Sequence, residues 1–497
     1  ADTREYGAAQ LTLIEPVGIF AGAGSPSQVW MSHGDSVRSL PVGFRPLGST
    51  EDCPYAAISN PEKNIYGVQF HPEVLGTNEG DLYLSNFIRI CGLTETWKMD
   101  DYLERIVREL REAYGSRRVF MLISGGVDST VAFALLSRAL PPSHLRGLLI
   151  DTGFMRASEI ENVVQSFRGL GIDVTVAEAA PDFYSRLENI TDPEEKRTII
   201  GREFLAVRER ELVKLNLRAE DWFLGQGTIY PDTIESGGTR HSQKIKTHHN
   251  RVDMVTELIA AGRVVEPLRD LYKDEVRQVG RLLGLPDDLI MRHPFPGPGL
   301  AIRTLCSAEE GSIAQEYPAG EVGLSACILP VRSVGVQGDS RSYAHPLLLR
   351  ASAEYSLAVL AQKALRFCNE NQAINRVLFS LAERRPGAMP VLRRAFLTSE
   401  RIEVLRRADR RVYEFLQEMD LYGEIWQCPV VLCPLSQGQG EALILRPVVS
   451  LDAMTATPFL MTAEHRQEIA SRLLADRQID LVFYDLTGKP PGTIEWE

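Results

Sequence analysis

No apolar run in this sequence approaches the ~20 residues that a membrane-spanning helix needs, which argues against a membrane protein. Cysteine is sparse. Seven occur in 497 residues, an odd number with no CxxC pair, which suits a reducing, cytoplasmic setting better than a disulfide scaffold. Positive charge is also in deficit: 54 Lys and Arg stand against 66 Asp and Glu, a net charge of -12. A broad nucleic-acid surface requires an excess of base to neutralise phosphates, so no nucleic-acid partner is expected. A small anionic ligand stays open, because it needs only a local cluster of donors. The first residues, Ala1-Asp2-Thr3, carry no signal-peptide pattern.

What remains is ordinary globular composition, 44% hydrophobic and 24% charged, at a length that calls for several domains. Residues 8–92 read as short strands broken by Gly, Pro, Asn and Asp turns. Met99, Leu103, Ile106, Val107, Leu110 and Tyr114 then recur at helical spacing, so a domain boundary falls between Gly92 and Lys98. From Val119 the apolar runs VFMLI, LRGLLID, IDVTVAEA and DWFLGQGT alternate with helical stretches. That pattern predicts an α/β fold with a parallel sheet covered on both faces. After Arg303 a repeat emerges. LPVRSVGVQG, HPLLLRA, SLAVLAQKALRFC and INRVLFSL have the order strand, strand, helix, strand. CPVVLCPL, ALILRPVVS, AEHRQEIASRLLA and IDLVFYDLT repeat it. Two ββαβ units in one chain predict pseudo-twofold packing.

The most informative string is Ser124-Gly125-Gly126-Val127-Asp128-Ser129-Thr130, set between a predicted strand and a predicted helix. Glycines let backbone N–H groups close on an anion. The helix points its positive end at the same spot, and three hydroxyls add donors. Asp128 would repel a phosphate, so its expected partner is Mg²⁺. No lysine follows the glycines, which excludes the GxxxxGK[ST] loop. An ordinary Gly-rich turn is the bland alternative.

SGGVDST resembles the pyrophosphate loop of the N-type ATP pyrophosphatases, enzymes that cleave ATP between the α and β phosphates. Further strings narrow the resemblance to the GMP synthetase family: DPEEKR at 192–197 with Ile200-Gly201, QGT at 226–228, IKTHHN at 245–250, HPFPGPGL at 293–300 and KPPGTIEWE at 489–497. The implied organisation is an amidotransferase domain over 1–97, an ATP pyrophosphatase domain over 98–304, and an α+β part over 305–497 holding the two ββαβ copies. The implied reaction joins ammonia to xanthosine 5′-monophosphate (XMP) after ATP has adenylated its base. ATP and Mg²⁺ are the expected cofactors.

Carried over by motif, the XMP contacts would be Arg197, Asp339, Arg341, Gln427, Lys489 and Glu495. Arg and Lys suit a phosphate; Asp, Gln and Glu suit a ring edge and ribose hydroxyls. Read without the family, Asp339–Arg341 is a turn with a local ion pair, and Lys489 and Glu495 are a solvated tail. Lys246 would approach the ATP phosphates from a polar, Gly-rich stretch. Its neighbours His248 and His249 lack the partners a zinc site needs. Asp151 ends the second strand of the predicted sheet, where α/β ligand crevices form, and residues 148–156 should flank the adenosine. A turn aspartate is the alternative there.

Residues 1–92 resemble the later part of a class I glutamine amidotransferase through REYG at 4–7, SHGD at 32–35 and YGVQFHPE at 66–73. On a strand His71 and Glu73 share a face, as base and orienting carboxylate. The family's nucleophilic cysteine lies in a Gly-x-Cys-x-Gly elbow before REYG. No such elbow is present in these 497 residues, and Cys53 and Cys91 stand in none, so ammonia rather than glutamine is the expected nitrogen source. The doubled ββαβ module favours a monomer over a homodimer. Two competing readings are an NAD synthetase-like enzyme with another acceptor and a non-catalytic nucleotide-binding homologue.

Overall fold

The computed structural model describes residues 5–74, 76–94, 98–217, 220–232, 258–259, 261–337, 340–352, 355–371, 373–450 and 455–497. The chain divides into two compact units, Ala1–Lys98 and Met99–Glu497. No described helix is long and apolar enough to cross a membrane.

The first unit is an antiparallel sheet in the order β2-β1-β3-β4-β5. Its strands are β1 (Glu5–Leu13), β2 (Ser27–His33), β3 (Arg45–Ser49), β4 (Ala57–Asn60) and β5 (Ile65–Val68). Helix α1 (Gly80–Ile90) follows. Ser27, Val29 and Met31 alternate inward along β2, the period-2 pattern of a half-buried strand. They join Leu11, Phe20, Leu47, Phe70 and Tyr83 in one core.

The second unit opens with α2 (Met99–Tyr114), whose apolar stripe packs chiefly on the helices Val127–Ala139 and Lys273–Leu282 and joins their shared core. The sheet of this unit contains β6 (Arg118–Ile123), β7 (Leu145–Asp151), β8 (Val174–Glu178), β9 (Trp222–Gly225) and β10 (Val264–Val265). Every pairing is parallel, in the order β10-β9-β6-β7-β8. Helices α3 (Val127–Ala139), α4 (Glu159–Gly169), α5 (Ala180–Arg186), α6 (Pro193–Lys214), α7 (Lys273–Leu282) and the single turn α8 (Asp287–Ile290) accompany it. Nine residues of α3 are buried, as expected of a helix covered on most sides. Strand order reverses at β6. The chain runs outward to β7 and β8 on one side, and β9 and β10 add on the other.

The larger sheet follows. Its strands are β11 (Gln315–Tyr317), β12 (Leu324–Ile328), β13 (Ser333–Gln337), β14 (Ser340–Ala351), β15 (Ile374–Glu383), β17 (Val430–Cys433), β19 (Glu441–Leu445) and β22 (Ile479–Asp485). Short pairs β16 (Val391–Leu392) with β18 (Leu435–Ser436) and β20 (Val448–Val449) with β21 (Thr457–Pro458) lie beside it. Helices α9 (Leu357–Glu370), α10 (Ser399–Glu418) and α11 (Ala463–Leu474) complete the unit.

The order β12-β14-β15-β22-β19-β17 contains the repeat. In the first copy β12 pairs antiparallel with β14, which pairs parallel with β15. In the second, β17 pairs antiparallel with β19, which pairs parallel with β22. The copies meet antiparallel at β15 and β22, as a twofold axis between them requires. One detail differs from the sequence reading. LPVRSVGVQG is not the sheet strand of copy one: β12 takes that place, and β13 forms a hairpin with the first part of β14. The hairpin is covered by the chain's last residues, with Val336 N–H donating to Pro491 O at 2.7 Å and Val334 N–H to Trp496 O at 3.0 Å.

Candidate active site

The loop Ser124–Thr130 leaves β6 where the strand order reverses, the place at which open α/β sheets form their ligand crevice. Gly125 has φ +77, a left-handed conformation that favours glycine. The two serine hydroxyls lie 3.0 Å apart; Ser124 Oγ accepts from Gly126 N–H at 3.2 Å, and Ser129 Oγ donates to Gly126 O at 3.0 Å. The loop is thus held open by its own hydroxyls at the N-terminus of α3. A cleft of about 420 Å³ lies against it, lined by Ser124, Gly126, Asp128, Ser129, Arg208 and the Gly225–Gly227 turn after β9, with Leu122 and Leu224 as its floor. Gly227 is needed for close approach: a Cβ there would stand 3.0 Å from Asp128 C and Ser129 N. Val127 and Thr130 turn away into the core, 7% and 1% exposed.

Asp128 Oδ2 accepts from Lys273 Nζ at 2.8 Å. Asp128 Oδ1 is buried and has no hydrogen-bond partner among the described residues. Lys273, at the start of α7, is a partner that sequence reasoning missed; 145 positions separate the pair, and no local pattern links them. Asp151 Oδ1 accepts from Gly153 N–H at 2.8 Å, the geometry of an aspartate turn.

Beyond the loop, Glu159 joins buried Arg292 at 2.9 Å, and burial lowers the Arg292 pKa against the pull of Glu159. His293 stacks on Tyr422 at 3.9 Å, and burial pushes its imidazole pKa down to about 4. The Phe295 ring lies 4.6 Å from Arg156 and 5.1 Å from Arg303.

The tail 487–497 is built in, not solvated. Asp485, Arg376 and Arg446 are all 0% exposed. Asp485 Oδ2 meets Arg376 and Arg446 at 2.9 Å each and accepts from Trp496 Nε1–H at 3.1 Å. Arg376 donates onward to Thr493 O and Glu495 O, and Arg446 to Thr487 O and Ile494 O. Burial opposes ionisation of Asp485, but the two guanidinium charges outweigh it and hold its carboxyl below the usual range.

Around this tail stand several of the expected nucleotide contacts. Glu495 takes a bidentate pair from fully buried Arg303, at 2.9 and 2.7 Å, and a bond from Gln427 at 3.3 Å. Arg197 donates to Glu497 O, and its neighbour Lys196 pairs with the Glu497 carboxylate. DPEEKR is therefore also a helix start. Asp192 caps α6, accepting from Glu195 N–H at 2.8 Å, with Pro193 at the first position. Lys489 is half-buried and pairs through its backbone with Ala456. Arg341 stands in β14 opposite Val336; its side chain, like all of Asp339, Lys246, His248 and His249, lies outside the described residues. Of the expected XMP contacts with described side chains, Arg197, Gln427, Lys489 and Glu495, none lines the phosphate-loop cleft.

In the first unit His71 Nδ1 and Glu73 Oε1 are 2.8 Å apart, both exposed. The hydrogen bond from His71 lowers the Glu73 pKa. Cys53 is 0% exposed, and burial raises its thiol pKa, the opposite of a poised nucleophile.

A parallel sheet with a glycine-rich loop at its strand reversal, opening a helix into a polar cleft, defines a nucleotide-binding α/β enzyme. Family models match in two places, glutamine amidotransferase class-I over residues 1–91 and the GMP synthase C terminal domain over 414–496. A probable GMP synthase (glutamine-hydrolyzing) of Leptospira interrogans serogroup Icterohaemorrhagiae serovar copenhageni is 44% identical over 510 residues, spanning 100% of this chain and 84% of that one. GMP synthase (glutamine-hydrolyzing) of Aquifex aeolicus is 41% identical over 415 residues, 78% of this chain and 80% of that one. That of Dictyostelium discoideum is 35% identical over 552 residues, 96% of this chain and 76% of that one. The chain belongs to the GMP synthase family, carbon–nitrogen ligases that use ATP with glutamine or ammonia.

Proposed function

We propose that this chain forms GMP from XMP in two steps. The base oxygen O2 attacks the α-phosphate of ATP, forming an O–P bond as the bond to the β-phosphate breaks and pyrophosphate leaves. Ammonia then displaces AMP from C2. One observation carries the reading: Ser124 and Ser129 bring their hydroxyls to one cleft at the strand-order reversal, where the N-terminus of α3 begins. Thr130 closes the same motif from its buried side. Lys246 would approach the ATP phosphates, and Asp151 would flank the adenosine. Arg197, Asp339, Arg341, Gln427, Lys489 and Glu495 are proposed for XMP, gathered by the tail. His71 and Glu73 are proposed as the base and orienter of a glutaminase half-reaction that would also need a nucleophilic cysteine in an elbow, so for these 497 residues free ammonia is the proposed nitrogen source. The division at 97/98 and 304/305 is retained as a division of labour, and strand pairing between the two ββαβ copies within one chain supports a monomer.

Mg²⁺ suits this cleft. Asp128 Oδ1, a hard oxygen ligand, has no hydrogen-bond partner among the described residues, and the ion when bound would offset phosphate charge. The test supplies XMP, ATP, Mg²⁺ and ammonium and follows AMP, pyrophosphate and GMP. XMP-dependent release of all three is expected. Pyrophosphate release that needs deamido-NAD instead of XMP would overturn the acceptor, and no AMP with any acceptor would overturn the enzyme.

A further inference from the structure

The first unit brings together three side chains that the function proposed above does not use. Glu5 opens β1 and His33 ends β2, directly opposite one another in the antiparallel register. Cys53 lies in the connection between β3 and β4. One ligand atom from each, a carboxylate oxygen, an imidazole nitrogen and the thiol sulfur, all lie within 4.8 Å of one another. His33 Nε2 stands 3.4 Å from Glu5 Oε2. That is an ion-pair separation, yet the alignment makes no hydrogen bond, and both His33 ring nitrogens are buried without a hydrogen-bond partner among the described residues. Two ligands of one tetrahedral Zn²⁺, each about 2.0–2.2 Å from the metal, stand about 3.3–3.6 Å apart, which is the spacing seen here. Buried imidazole nitrogens left unpaired call for an explanation, and a shared cation supplies one.

The surroundings already orient these groups. Thr50 Oγ1 donates to Glu5 Oε2 at 3.1 Å and accepts from Cys53 N–H at 3.1 Å. One hydroxyl therefore fixes two of the three residues, as outer partners do in metal sites. Burial raises the Cys53 thiol pKa, while the Tyr55 backbone and the Ser36 side chain act against the rise as hydrogen-bond partners of the sulfur. A bound cation removes the obstacle to a thiolate, which has lone pairs for the metal and for both of these partners. The geometry points to a metal site in which a Glu5 oxygen, a His33 nitrogen and the Cys53 sulfur hold one Zn²⁺, with water in the fourth position. Mixed oxygen, nitrogen and sulfur ligands suit this borderline ion better than Mg²⁺, which takes oxygen. On binding, the S–H bond breaks, a Zn–S bond forms and the proton passes to solvent. The ion pins β1, β2 and the β3–β4 connection together. Strand β2 also supports His71, whose N–H donates to Trp30 O at 3.0 Å, so the tie stiffens the element beneath the proposed glutaminase base.

The test strips the full chain of metal with a chelator and titrates it with Co²⁺, a spectroscopic stand-in for zinc, in excess Mg²⁺ that fills hard-oxygen sites. A sulfur-to-cobalt charge-transfer band that saturates at one Co²⁺ per chain and is bleached by Zn²⁺ is expected, and added Zn²⁺ should raise Tm. Cys53→Ala should abolish the band. Glu5→Gln and His33→Gln should each weaken Co²⁺ by at least roughly tenfold, since even the outer partners of a metal ligand are worth that much. Cooperative melting certifies that each variant is folded; should Cys53→Ala fail to fold, the other two variants decide. No band in the unaltered protein, or a band that survives in Cys53→Ala, overturns the site. Unchanged Co²⁺ affinity in both Glu5→Gln and His33→Gln reduces it to adventitious binding by a thiol and overturns it as well. Each of these outcomes leaves the GMP-forming reading standing, because none of the three residues belongs to it.

Discussion

Replacing Asp485 with Asn changes one atom type at the centre of the buried tail clamp. In the native protein one carboxylate oxygen serves Arg376 and Arg446 at 2.9 Å each and Trp496 at 3.1 Å, and the other accepts from Thr487 N–H at 2.9 Å. Asparagine keeps the shape and removes the charge. Two guanidinium groups, both 0% exposed, then face each other without a counter-ion. Breaking a buried pair this way costs about 3–5 kcal/mol, which for a large domain lowers Tm by roughly 5–10 °C. The damage should be directional. Arg376 and Arg446 hold the backbone at Thr487, Thr493, Ile494 and Glu495, while the phosphate loop lies on another sheet. Steady-state kinetics with ammonium should therefore show KM for XMP raised by about tenfold or more and KM for ATP within about threefold. The carboxyl is held below the usual range, so its stabilisation is complete above the unfolded value near pH 4 and is lost only as pH falls through the lower folded value. The difference in Tm should stay constant from about pH 5 to 7, because burial pushes the Arg376 guanidinium down to about 9 and the pair itself weakens as pH approaches that value. An Asp485→Asn protein melting within about 1 °C of the native one would refute the clamp. The compensated triple variant Arg376→Met, Arg446→Met, Asp485→Leu, which removes every charge together, should regain most of the stability.

Three smaller tests follow. Gly227→Ala places a methyl group 3.0 Å from the backbone of Asp128 and Ser129; displacement of the loop by a few tenths of an ångström should raise KM for ATP on the order of tenfold with XMP affinity unchanged, measured by initial rates. Lys273→Gln removes the ion pair that occupies Asp128 Oδ2; because that lysine is 42% exposed the pair is weak, and the Mg²⁺ concentration giving half-maximal rate should fall by only about two- to fivefold, a rise counting against the competition. His293, held neutral by burial with a pKa of about 4, takes up no proton in the folded state until well below the unfolded value near 6.5. Its contribution is whole above pH 6.5 and is lost as pH falls toward 4, by up to about 3 kcal/mol. Urea unfolding at pH 7 and pH 5 should show a shallower pH dependence in His293→Gln than in the native protein.

The parts of this fold written in short-range pattern could be read directly. VFMLI and LRGLLID are central parallel strands because their apolar runs match a sheet covered on both faces, and the loop between VFMLI and its helix follows from two glycines and three hydroxyls. The repeat survived because each copy keeps its own order of strand and helix. Contacts between distant positions left no such trace. Arg376, Arg446 and Asp485 look like ordinary surface charges in sequence, and only the fold brings them into one dry cluster. Arg208 lies in a run of charged residues, RERE, where nothing distinguishes the arginine facing a cleft from those facing water. Glu495 was expected as an open ligand group, whereas Arg303 occupies both of its oxygens, a partner 192 positions away.

Because β15 and β22 join the two ββαβ copies inside one polypeptide, their duties can diverge. A symmetric pair of separate chains would have to keep every surface doubled, used or not. Here the second copy alone runs on into residues 487–497, and the first copy alone offers the β13–β14 hairpin that receives them. With the tail and its receiving hairpin each present once, the proposed XMP site predicts saturation at one XMP per chain, without cooperativity, measured by equilibrium titration.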